Sequence, residues 1–117
     1  MKVNILGHEY EVFFIKESEV PEELKEKLTP NDGLCENYSQ ELFVLKHDPS
    51  PDHYKRPDLY QKRVGKHEMF HGYFHKSGIS QLVTTEAEEL IVDFLATNLD
   101  QIYENAKTIE KFIENHK

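Results

Sequence analysis

The chain carries seven histidines, and three of them fall between positions 67 and 75. His67 and His71 stand four apart around Glu68 in the run His67-Glu68-Met69-Phe70-His71. On a helix, residues four apart are offset by only ~40° and rise ~6 Å, so both imidazoles face the same way. That spacing brings two nitrogens to one zinc ion at about 2.0–2.1 Å each. Glu68 lies beside them, placed to take a proton from a water that the ion would activate rather than to bind the ion itself. Short motifs also arise by chance, here in roughly 1 of 20 chains of this composition, so the pattern needs support from its surroundings.

A zinc site that does chemistry needs three protein ligands and one open position. The run Glu89-Leu90-Ile91-Val92-Asp93 offers the third ligand about one helical hairpin downstream. Glu86 and Glu88 compete with Glu89 for that role. Asp93 favours Glu89, because it sits one turn further on among Leu90, Ile91 and Phe94, where a carboxylate is costly without a partner. A hydrogen bond from a ligand imidazole would supply that partner and fix the tautomer of the ring. A surface salt bridge is the plain alternative for Asp93.

Other residues read more simply. His75 lies ~12 Å along the helix from His67, too far to share an ion, and reads first as an exposed polar residue, with oxyanion stabilisation from the cleft rim as the alternative. Gly72 suits close packing of the helix. Tyr73 and Tyr103 are candidate oxyanion donors but read first as core or boundary residues. Cys35 reads as a small buried hydrophobe. His8, His47 and His53 read as solvated.

These side chains need elements to hold them. In Met1–Ile15, Val3, Ile5, Tyr10, Val12 and Phe14 alternate with polar residues around Gly7-His8, which predicts a hairpin. Ser18–Leu28, with Pro21 early and Leu24 and Leu28 at helical spacing, predicts a short helix. Thr29–Gly33 is a dense turn signal. Leu34–Tyr38 and Glu41–His47 predict a second hairpin, the latter strand apolar on both faces. Asp48–Pro57, with three prolines, predicts an exposed loop that stands just before the histidine helix and suits either a lid or a simple connection. From Asp58 the period turns helical, with Leu59, Val64, Phe70 and Phe74 mostly on one side and Ser77-Gly78 as the stop. Thr85 and Glu88 form a capping-box pattern opening a helix, or a pair of helices broken near Asn105, that runs through Ile109, Phe112 and Ile113. Strands first and helices last predict an α+β fold, a small mainly antiparallel sheet with the helices packed on one face.

Composition bounds the rest. At 117 residues there is room for one core, hence a single domain over 1–117. The balance of 14 basic and 22 acidic residues argues against non-specific nucleic-acid binding. The longest apolar run is too short for a membrane span, and Met1–Glu11 lacks the pattern of a signal peptide. One cysteine excludes an internal disulfide and suits a reducing, cytoplasmic setting.

The HEMFH helix followed by ELIVD resembles the gluzincin branch of the zincin metallopeptidases. Nearly the whole chain, from LGHEYEV through GLCENYSQELFV to HEMFHGYFHKSG and EELIVDFLA, is similar to small phage and prophage proteins related to the ImmA/IrrE metallopeptidases. That resemblance implies a minimal zincin-like fold with His67, His71 and Glu89 as zinc ligands, Glu68 as general base and Asp93 behind a ligand histidine. It also implies a peptide or protein substrate laid beside the zinc along an edge strand, here Glu41–His47. Larger relatives act with or on DNA-binding regulators, and no separate regulatory domain fits in this length. The leading expectation is a zinc-dependent peptidase. The alternative is a catalytically silent zinc-fold protein that modulates a host or phage regulator, and a third reading is a small acidic adaptor with incidental histidines. Oligomeric state is open, although the apolar residues of the last helix would suit pairing with another chain.

Overall fold

The computed structural model describes residues 1–48 and 57–116. The expected loop over Asp48–Pro57, and His53 with it, lies almost wholly outside the described residues. The alternation at the start of the chain forms its hairpin: β1 (Lys2–Ile5) and β2 (His8–Ile15) pair antiparallel, with Val3 opposite Tyr10. The reversal is Leu6-Gly7 rather than Gly7-His8. Both turn residues have positive φ, 51° and 87°, the conformation whose twist matches the flanking strands. The Gly7 amide donates to Asn4 Oδ1 at 2.8 Å, which offsets the strain of a left-handed leucine.

Ser18–Leu28 is helical only in pieces. Two 3₁₀ turns, Glu17–Glu19 and Glu22–Leu24, precede the single turn α1 (Lys25–Leu28). Pro21 separates the two turns because it has no amide hydrogen with which to continue one helix. β3 (Gly33–Glu36) and β4 (Glu41–Leu45) then form the second hairpin, two residues shorter at each C-terminal end than expected.

The strand order is β1-β2-β4-β3, and β2 pairs with β4 in parallel, so the sheet is mixed. Glu41–His47 is therefore not an edge strand. Leu42, Phe43, Val44 and Leu45 are all buried, and a strand apolar on both faces belongs inside a sheet. The edges are β1 and β3. Alternation along β4 divides the core in two. Phe43 and Leu45 cluster with Val20 and Leu28 on one face. Leu42 clusters with Ile5 and Tyr10 on the other, beneath Met69 and Tyr73. Helical structure thus covers both faces of the sheet, not one, because both faces of β4 must be removed from water.

Met69 and Tyr73 belong to α2 (Pro57–Ser77), which turns Val64, Glu68, Gly72 and Phe74 inward. A side chain at Gly72 would put its Cβ 2.8 Å from Ile5 Cδ1, so glycine lets the helix close on β1. Leu59 departs from its expected place in the core and is half exposed. Gly78, at φ 85°, ends the helix. After a 3₁₀ turn, Ile79–Gln81, the chain enters α3 (Thr85–Glu114), one unbroken helix of 30 residues. Its cap is Thr84, one residue before the expected Thr85: Thr84 Oγ1 accepts from the Ala87 amide at 3.1 Å. Glu88 is thereby left out of any capping box and turns toward α2. The whole is an α+β fold of one four-stranded sheet and three helices among the described residues, none of them long and apolar enough to cross a membrane.

Candidate metal centre

The long helices run antiparallel, since His71 meets Glu88 and Glu89 while His67 meets Glu89 and Asp93. This pairing follows from the two apolar stripes: Val64 and Phe74 of α2 and Val92 and Ala96 of α3 are buried, and their neighbours face each other across the contact. The Nε2 atoms of His67 and His71 lie 3.1 Å apart. One Glu89 oxygen is 3.1 Å from His67 Nε2, and the other is 2.9 Å from His71 Nε2. One ligand atom from each of these three residues therefore falls within 4.8 Å of the others.

Behind this trio stands a second set of carboxylates. Glu88 Oε2 is 2.6 Å from His71 Nδ1, and Asp93 Oδ1 is 3.4 Å from His67 Nδ1. A proton on each Nδ1, where its carboxylate is, leaves Nε2 bare. Glu88 is fixed in turn by the Ser80 hydroxyl, which donates to its other oxygen. So Glu89 faces both inner nitrogens, Glu88 faces an outer one, and Glu86 does not line the cavity.

Two imidazole nitrogens and one carboxylate form a donor set that suits zinc. Their separations are also close to the ~3.3 Å edge of a tetrahedron with ligands at 2.0–2.1 Å. Bare lone pairs at such distances repel one another and the carboxylate unless a cation or a proton lies between them. On chemistry and spacing, these residues fit the ion.

Glu68 sits on the inner side of the same cavity, 8 % exposed. Burial pushes its carboxyl up to about 7; His71 opposes the rise and Glu89 adds to it. The cavity, about 540 Å³, is floored by this cluster and walled by β3 through Gly33, Leu34 and Cys35. β3 approaches closely because Gly33 has no side chain: a Cβ there would lie 2.5 Å from Val64 Cγ1 and 3.0 Å from Glu68 Cγ. Cys35, expected to be a plain hydrophobe, is half-buried in this wall. Burial, then Glu68, Glu36 and Glu88, push its thiol up to about 12, with Lys76 opposing.

Asn31, Tyr60 and Arg63 line the cavity as well. The Tyr60 hydroxyl donates to Asp32, whose other oxygen is 2.9 Å from His47 Nε2. His47 is thus part of a hydrogen-bonded cluster rather than a solvated strand end. His75 is exposed beside Tyr38 and takes no part in the site. Tyr73 packs in the core and Tyr103 lies out on α3, so neither lines the cavity. The sequence offers Glu88 as a rival ligand or as a capping-box partner of Thr85 rather than as the partner of His71 Nδ1, and Ser80 and Tyr60 carry no motif that singles them out. The chain matches no protein-family model, no curated protein and no solved structure.

Proposed function

We propose that this chain is a zinc-dependent peptidase of gluzincin type on a minimal zincin-like fold. His67, His71 and Glu89 hold the ion, and Asp93 and Glu88 orient the two rings. The observation that carries the reading is the convergence of three ligand atoms over a buried Glu68 in one cavity. Zinc bound there supplies Lewis acidity, polarising a substrate carbonyl and lowering the pKa of a coordinated water to about 7.

The chain's own residues do the rest. The Glu68 carboxylate accepts the proton of the attacking water and returns it to the departing amine. In the metal-free chain burial raises this carboxyl to about 7, and the charge of a bound ion would bring it down toward the carboxylate form that accepts the proton. The open edge of β3 borders the cavity, and it replaces β4 as the strand that receives an extended peptide by backbone pairing. Among the described residues that line the cavity, Arg63 is the one lysine or arginine, and it sits over the Tyr60 ring, where it meets an acidic group of the substrate.

Elemental analysis of protein purified without added metal should give about one zinc per chain, lost in His67→Ala. Glu68→Gln should retain the zinc and produce no new N-termini when mixed with a cell lysate in which the wild type does. Absence of zinc even after its addition would rule out the reading. Equal cleavage by both forms would remove Glu68 from its role, and zinc without cleavage by either would leave a silent zinc-fold protein.

A further inference from the structure

The second half of α3 stands clear of the core. Every residue from Asp100 to Glu114 is exposed, including Ile102, Tyr103, Ile109, Phe112 and Ile113 at between 40 % and 63 %. A bare helix of that length is at the margin of stability in water. Its apolar side chains are also ordered. From Leu95 through Leu99, Ile102, Ala106 and Ile109 to Ile113 the spacing alternates four and three, the heptad of a helix seam that expects another helix. The seam begins beside the fold, where its first members, Leu95 and Leu99, are half-buried next to the fully buried Val92 and Ala96 and α3 packs on α2. Beyond Leu99 it continues uncovered.

We propose that this half of α3 pairs with the same segment of a second copy of the chain, forming a homodimer through a short coiled coil. Charge placement favours a copy over an unlike partner. Asp100, Glu104, Lys107, Lys111 and Glu114 all lie more than ~90° around the helix from the seam. Glu110, the nearest charge, is paired with Lys107 at 3.5 Å. The face therefore meets itself without opposing like charges, which is what a self-complementary interface requires. The acid excess of −8 is not carried here either, since Asp100, Glu104, Glu110 and Glu114 are nearly balanced by Lys107, Lys111 and Lys117.

Size agrees with this occupant. Ile102, Ile109 and Ile113 on the seam, with Tyr103 and Phe112 on its two flanks, together present on the order of 500 Å² per chain. Two copies then reach about 1,000 Å², the lower bound of a specific interface. Residues 49–56, PSPDHYKR, contain no Leu, Ile, Val or Met to continue such a seam.

Sedimentation equilibrium of the full chain from micromolar to millimolar concentration tests the proposal. The mass should rise from monomer to dimer, and Ile109→Asp combined with Ile113→Asp should shift that rise at least about a hundredfold in concentration, since each charge would be buried. Glu104→Gln on the opposite face should leave it unchanged. Amide exchange of residues 102–114 in the wild type, which involves no substitution, should slow as concentration rises. A wild type that stays monomeric throughout, a dimer indifferent to the paired substitution, or exchange independent of concentration would each overturn the homodimer.

Discussion

At the scale of single residues, the two histidines proposed as ligands are distinguished less by their own positions than by what holds their outer nitrogens. Glu88, 2.6 Å from His71 Nδ1, is itself held by Ser80, so it sets both the tautomer and the angle of that ring. Carboxylates in this position typically change metal affinity by 10–100-fold. Glu88→Ala should weaken zinc binding by about that factor in a chelator competition, while Glu86→Ala should leave it unaltered. Glu68 makes a separate prediction for the metal-free chain. Folded, its carboxyl keeps a proton up to about pH 7; its ordinary value is 4.5. Between those values the folded state binds more protons than the unfolded one, so stability falls as pH rises, by up to about 3 kcal/mol in all. Glu68→Gln should remove that slope from chemical-denaturation curves measured across the same range. The sequence made His67 and His71 legible because helical periodicity alone aligns residues four apart. Nothing equivalent announces Ser80 or the His47–Asp32 pair, whose members meet only once β4, α2 and the turn before β3 have been brought together.

At the scale of elements, the distance between β3 and α2 decides the shape of the cavity. Gly33 is a tight point of that contact, where even a methyl group would overlap Val64 and press on Glu68. Gly33→Ala should therefore destabilise the fold by about 1–3 kcal/mol, the usual result of overpacking. Because the displaced neighbour includes Glu68, hydrolysis should fall by more than zinc content does, and the two assays together separate this from simple unfolding. Element types were largely legible, since alternation marks β1 and β2, a run apolar on both faces marks β4, and a 3.6-residue period marks α2 and α3. Their neighbours were not. Alternation assigns each side chain to a face but does not say which strand lies alongside, so β4 could be read as an edge although Leu42 to Leu45 are buried on both sides. Glu88 shows a related ambiguity, because its position three residues after Thr85 mimics a cap that Thr84 in fact provides.

At the scale of the whole molecule, an ion shared by His67, His71 and Glu89 would join α2 to α3, and α3 meets the rest of the fold chiefly through α2. Zinc at a hundred times its dissociation constant would add about 2.7 kcal/mol of stability. For a chain of this size that corresponds to a rise of roughly 10 °C in thermal midpoint. Differential scanning calorimetry with zinc and then with excess EDTA should show the gain and its reversal, and His71→Ala should show neither. The parallel seam between β2 and β4 has a different consequence, for the order of assembly. The β1–β2 hairpin, the β3–β4 hairpin and the α2–α3 hairpin each join segments adjacent in sequence, so each closes over a short loop. The seam instead sets Glu11 beside Glu41 and Ile15 beside Leu45, and the chain between must be drawn into a loop before any of those bonds form. Folding is then a matter of three local units waiting on one long-range closure. Substitutions that weaken Val12 or Phe43 should slow refolding, whereas changes in the exposed end of α3 should leave the refolding rate alone.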